Sequence, residues 1–234
     1  MIALSFALPQ ESSGLVRQLA GTRRSGSAAL PIISGTLAGH DVVVVHSGVG
    51  MDSATERLGS FLQTHAPSMW VACGFGGGLS AELEVGDIVV ARNLSDSAPF
   101  DAIGPLRART GTLITTTEVI ETALQKKQLA SHTGATVVDM ETVAIRRLCD
   151  ARGIPMLAVR AISDAAGQNL PIPSAVWFDA HAQRPRPIPL VLHLAGHPGR
   201  ILPFARFVRG IGRAHGSLTR FLVAAVPVLA ERWK

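Results

Sequence analysis

The feature that most constrains the fold is a set of short runs too apolar to have a wet face. DVVVVHS (41–47), MWVAC (69–73), VGDIVVAR (85–92) and IPMLAVRAIS (154–163) do not alternate with polar residues. Strands of this kind are covered on both sides. The segments between them carry a different rhythm. Within 51–65 the spacing of Ala54, Leu58, Phe61 and Leu62 is helical. Strands alternating with helices predict an α/β domain whose sheet is flanked by helices on both faces.

The remaining elements follow from the same patterns. MIALSFAL reads as an opening strand, and Gln10 to Gly21 as a helix with Leu15, Val16 and Leu19 inward. Residues 32–37 pair with 41–47 through a turn at Gly39 and His40. SDSAPFDAIGP (95–105) reads as a polar loop. TLIT is a short strand, Val119 to Leu129 a helix, TVVDM a strand and Thr142 to Arg152 a helix. GFGGGL (74–79) lacks the GxGxxG spacing and reads as a tight turn whose glycines let a ligand approach the backbone.

A chain of 234 residues with 47% hydrophobic and 17% charged residues suits one globular domain with a substantial core. Cys73 and Cys149 have no metal or redox spacing and read as reduced core thiols. The start lacks a basic leader region and no apolar run reaches the roughly 18 residues of a spanning helix. The expected location is the cytoplasm. Charge is uneven: residues 1–181 hold 13 Lys/Arg and 16 Asp/Glu, whereas 182–234 hold 9 and 1. The chain therefore divides into an α/β domain over 1–181 and a basic, proline-punctuated helical extension over 182–234. After Pro203 the extension places Phe204, Phe207, Val208, Ile211, Leu218 and Leu222 on one side of a helix. Arg206, Arg209, Arg213 and Arg220 lie opposite, within about 60°.

Two of the apolar strands deliver acids. VVDMETVAI (137–145) runs into Asp139, Met140 and Glu141, and IPMLAVRAIS runs into Ser163 and Asp164. In sheets of this class ligands sit at the carboxyl ends of strands. Glu141 at a helix start is favoured in its ionised form by the dipole, and an ionised carboxylate is acceptor-only, suited to vicinal hydroxyls such as those of ribose. Met140 offers a flexible apolar surface. Asp164, poorly solvated at its strand end, is expected to be a proton donor. A hydroxyl acceptor beside a proton donor fits N-glycosidic chemistry on a nucleoside. Each carboxylate taken alone reads better as a helix cap or surface group, and the trio taken together reads equally well either way. SGVGM (47–51), between strand and helix, is the expected anion cradle, with Ser47 and Gly48 receiving phosphate or a sugar oxygen. No metal-ligand spacing occurs.

Together FALPQE, HSGVG, CGFGGGLSAELEVGDIVVA, VVDMETVAI and IPMLAVRAISDAAG resemble the superfamily of purine nucleoside phosphorylases and methylthioadenosine/S-adenosylhomocysteine nucleosidases, over most of residues 1–167. The resemblance implies a central mixed twisted sheet and assembly as dimers or larger oligomers. It implies that Glu141 binds the ribose hydroxyls with Met140 on the sugar, that Asp164 protonates purine N7, and that Glu11 activates the attacking water. It places Gly76, Gly77, Ser47 and Gly48 at the pocket. Phe75 stands where relatives often carry serine, Ala72 where some phosphorylases carry a phosphate-binding arginine, and Val119 where nucleosidases stack an aromatic on the base. The tail, with KKQLASHTGATVVDMET, resembles the hopanoid-associated phosphorylase-like branch, which implies adenosylhopane as substrate.

The expected activity is cleavage of a purine nucleoside, an adenosine with a 5′ substituent, by water or by phosphate. No cofactor is implied beyond inorganic phosphate as a co-substrate in the second case. The partner is a small or lipid-linked nucleoside, with peripheral membrane contact through 198–234. Nucleic acid is disfavoured, because aromatics are sparse in the tail, with only Phe204, Phe207 and Phe221 on its apolar face. The competing readings are a methylthioadenosine/S-adenosylhomocysteine-type nucleosidase and a non-catalytic nucleoside-binding protein on the same fold.

Overall fold

The computed structural model describes residues 1–27, 29–179 and 182–233. The boundary expected at 181/182 thus falls partly outside the described residues. In chain order the elements are β1 (Ile2–Phe6), α1 (Pro9–Val16), β2 (Ala20–Gly26), β3 (Pro31–Leu37), β4 (His40–His46), α2 (Met51–Thr64), β5 (Met69–Gly78), β6 (Ile88–Ala91) and α3 (Ser97–Ala102). There follow β7 (Arg109–Gly111), β8 (Leu113–Thr115), α4 (Ala123–Thr133), β9 (Val137–Asp139), α5 (Thr142–Asp150) and β10 (Met156–Asp164). The chain closes with α6 (Ser174–Trp177), a two-stranded hairpin of β11 (Phe178–Asp179) and β12 (Arg184–Pro185), α7 (Pro187–Gly196) and α8 (Ile201–Arg232).

Ten strands form one mixed sheet in the order β2-β3-β4-β1-β5-β10-β6-β7, with β9 bridging β5 and β8. The apolar strands β4, β1, β5 and β10 are parallel neighbours. Their side chains alternate between two cores. Leu4, Phe6, Val71 and Val159 face one core with Leu15 of α1 and Leu218 and Leu222 of α8. Ala3, Trp70, Ala72 and Ala158 face the other with Leu58 and Phe61 of α2 and Ile145 of α5. Burial on both faces is why these strands show no polar alternation.

Several elements differ from expectation. The helix expected over residues 10–21 stops at Val16, and the chain turns into the exposed strand β2, which pairs with β3. The expected loop 95–105 contains α3, whose Pro99 and Ala102 are buried. The helix expected from Val119 begins at Ala123, where Thr122 Oγ1 accepts the Gln125 N–H at 3.2 Å. GFGGGL is not a turn: β5 runs on through the glycines to Gly78. A Cβ at Gly76 would lie 2.8 Å from Val137 Cγ1, so glycine is what lets β9 lie against β5. In α8 the buried stripe is Gly210, Ala214, Leu218, Phe221 and Leu222, continuing to Ala230. Of the apolar side expected there, Leu218 and Leu222 are buried, Phe204, Phe207 and Ile211 half-buried, and Val208 exposed. Among the described residues no helix is long and apolar enough to cross a membrane.

Candidate active site

The carboxyl ends of β1, β5, β9 and β10 surround a pocket of about 190 Å³. The structure brings Glu11, Phe75, Gly76, Gly77, Val119, Asp139, Met140, Glu141, Ser163 and Asp164 together in its lining. Ser47 and Gly48 are absent from that lining.

Glu11 arrives through a tight entry into α1. One carboxylate oxygen accepts the Ala7 N–H at 2.9 Å and the Leu8 N–H at 3.4 Å, which fixes the acid over Gly74 of β5. Burial raises its pKa to about 7, against the opposing pull of Arg160 and the backbone N–H groups.

Glu141 caps α5 from a non-helical conformation, and its Oε1 accepts the Gly50 N–H at 2.8 Å. The helix dipole does not set its ionisation as expected. Burial, aided by Asp139, pushes its pKa up to about 8, with Gly50 and Arg160 opposing. Arg160 and the helix terminus are outweighed because nearly all solvent is removed from the acid, which is 8% exposed.

Asp139, one of the candidate site residues at the end of its strand, is occupied by the protein. Its Oδ2 accepts Arg160 Nε at 3.0 Å, Arg160 Nη2 at 2.6 Å, and both the backbone N–H and the hydroxyl of Thr142. Its Oδ1 accepts Thr115 Oγ1 at 2.6 Å. Asp139 therefore anchors the start of α5, and Glu141 with it. Arg160 completes the anchor: 2% exposed, it also donates through Nη1 to Ala72 O at 2.9 Å and Val159 O at 2.8 Å. The one visible signal for it was a single charge inside an otherwise apolar strand.

Asp164 follows a bulge in β10. Ile162 pairs with Gly76 and Asp164 with Gly77, so Ser163 is the extra residue. Ser163 Oγ donates to Asp164 Oδ1 at 2.6 Å. Asp164 is not the isolated acid its position suggested. Its Oδ2 forms an ion pair with Lys126 of α4, a lysine with no exposed surface whose ammonium also donates to Ala165 O at 2.9 Å and Gln168 O at 3.0 Å. Lys126 escaped the sequence reading because a lysine pair on a polar helix is ordinarily solvated.

Four amides of the expected anion cradle are satisfied within the chain. Ser47 N–H donates to Phe6 O at 2.8 Å and Gly48 N–H to Ala7 O at 3.1 Å. Val49 N–H donates to Gln183 Oε1 at 2.6 Å, and Gly50 N–H to Glu141. The Ser47 hydroxyl turns inward to Phe6 O and Gly48 O. These four amides, from 47 to 50, are spent on the chain's own oxygens and are not free for phosphate. Among the described residues no cluster of His, Cys, Asp or Glu could hold a metal ion.

Fold and pocket together define an α/β protein with a carboxylate-rich pocket at the strand ends. The family model described as "Phosphorylase superfamily" matches residues 1–103 and 91–184, and the chain belongs to that superfamily. It is 26% identical to a 5′-methylthioadenosine/S-adenosylhomocysteine nucleosidase of Shewanella oneidensis, over 77% of this chain and 89% of that one. Among solved structures it resembles the same-named nucleosidase of Neisseria meningitidis in complex with methylthio-immucillin-A. That match has a TM-score of 0.71 and 18% identity, covering 96% of this chain and 97% of the other. Futalosine hydrolase of Helicobacter pylori gives a TM-score of 0.70 at 15% identity, covering 97% of each.

Proposed function

We propose that this chain is a purine nucleosidase that cleaves the N-glycosidic bond of a 5′-substituted adenosine with water as nucleophile. The observation that carries the choice of water is the loop 47–50, whose amides are all satisfied internally, beside an acid at Glu11. A phosphate there would meet carboxylates and no free donor from the loop. The relatives named nucleosidase and hydrolase support the reaction class.

In this reading the Glu141 carboxyl oxygens accept from the ribose hydroxyls, and Met140 packs on the sugar. Gly76, Gly77, Phe75 and Val119 border the base. Asp164 directs a proton to purine N7, so that the C1′–N9 bond breaks with its electron pair leaving on the base. Glu11 takes a proton from water as the oxygen adds to C1′. In this step Asp164 starts as the neutral acid beside the Lys126 ammonium; its own proton passes to N7, the carboxylate left behind is held by that ammonium, and the proton that Glu11 takes from water restores the starting charge. The adenosylhopane expected from the tail is one 5′-substituted adenosine within this class.

Asp164→Asn tests the assignment. It keeps the shape and an acceptor for Ser163 but cannot pass the proton. Turnover is expected to fall at least about 100-fold, the usual worth of a positioned acid, while methylthioadenosine still binds by calorimetry. Turnover equal to wild type would remove Asp164 from the reaction.

A further inference from the structure

A second cavity, of about 620 Å³, adjoins the nucleoside pocket and shares Ser163, Asp164 and Leu170 with it. Its outer wall carries Arg200, Arg206, Arg209 and Arg213. Among the described residues none of these four guanidinium groups has an ion-pair partner. Residues 182–230 contain no Asp or Glu, and the one acid in the cavity lining, Asp164, is already paired with Lys126. Like charges gathered on one face repel unless an anion joins them.

The same region carries an exposed apolar surface. Ile188, Val191 and Leu192 of α7 and Ile201, Leu202 and Val208 of α8 are 51 to 72% exposed. On a helix, Ile201 and Val208 fall about 20° apart, and Arg206, Arg209 and Arg213 lie within about 60° of one another. The first half of α8 thus presents an apolar stripe beside an arginine stripe, while its second half is locked into the core. A helix that is apolar and cationic outward, and that does not span a membrane, has the character of one that lies in a headgroup layer.

We propose that α7 and the first half of α8 dock on an anionic lipid surface, with the arginine-lined cavity receiving lipid phosphate groups. A second copy of this chain fits less well. A two-fold contact uses the same patch on both partners, which would bring the arginines of each copy together without an acid between them. The docking holds the shared wall at Ser163 and Asp164 close to the lipid headgroups. It does not depend on the nucleosidase reading, because its test reads binding alone.

The full-length chain is tested by vesicle flotation, with phosphatidylcholine vesicles against vesicles that also contain phosphatidylglycerol. Binding is expected only to the anionic vesicles and weakens as salt rises. Replacing Arg206, Arg209 and Arg213 together with glutamine is expected to weaken it about 100-fold, from roughly a fivefold loss per arginine. Leu192→Ser with Val208→Ser, both at exposed positions, also weakens it. Absence of binding to anionic vesicles, or binding unchanged in the arginine variant, overturns the proposal. So does arginine-dependent binding of inorganic pyrophosphate without vesicle binding, or a dimer in sedimentation that the serine variant abolishes.

Discussion

Glu11 makes its own energetic demand. Its pKa is about 7 in the fold against an ordinary 4.5, so folding favours the protonated acid. That contribution is complete below about 4.5 and is lost as pH rises through about 7. Water activation needs the ionised form, so kcat/KM is expected to rise with pH across that same window. A pH–rate profile that is flat from 5 to 8 would contradict this. Glu11→Gln removes the titration, and differential scanning calorimetry at pH 8 is expected to show a Tm higher by roughly 5 °C, with the gain shrinking toward pH 5 and activity lost throughout. The other acid depends on a partner. Lys126→Met leaves Asp164 buried without its cation, a change that typically costs about 3–5 kcal/mol. Urea unfolding of that variant should show a loss of this order, and a stability equal to wild type would mean the pair contributes nothing. The acids themselves were legible, because VVDMET and RAISD end apolar strands in charge. Their partners were not. Arg160 reaches Asp139 across 21 positions and Lys126 reaches Asp164 across 38, and no local pattern records such a meeting.

At the scale of elements, β5 and β9 set the pocket's dimensions. Gly76→Ala would put a methyl 2.8 Å from Val137 Cγ1 and 3.2 Å from Val138 O, forcing apart the strands that carry Asp139 and the approach to Glu141. The expected cost is about 1–3 kcal/mol, with KM raised more than kcat is lowered, measured by steady-state kinetics on the folded variant. Unchanged KM would mean the strand spacing does not control the pocket. The elements that could be read from sequence were those whose burial dictates composition: β1, β4, β5 and β10 on two covered faces, and α2 by its helical spacing. β2 was hidden because its residues are all exposed, so its strand character comes from pairing with β3 and not from any apolar pattern. The glycines of β5 resembled a turn for the same reason in reverse. Their small size serves the neighbouring strand, which sequence spacing cannot display.

For the whole molecule, α8 decides where the chain's stability resides. Leu218, Leu222, Val226 and Leu229 are at most 1% exposed and share a core with Leu4, Phe6 and Val71 of the sheet. Leu222→Ala is therefore expected to cost about 2–5 kcal/mol, and a chain ending at residue 196 should lose its cooperative thermal transition. A truncated chain that unfolds with the wild-type Tm would show that the helix adds nothing to the core. The basic half of the tail was visible in the charge count, whereas the apolar half's place in the core was not, since amphipathic spacing does not say which partner the apolar face meets. Hydrolysis is distinguished from phosphorolysis by one assay. The protein is incubated with methylthioadenosine, adenosine and inosine, with and without inorganic phosphate, and free base is measured by chromatography. Adenine release from methylthioadenosine is expected at the same rate in both conditions, with free sugar as the other product. Release that requires phosphate and yields a sugar 1-phosphate would contradict it.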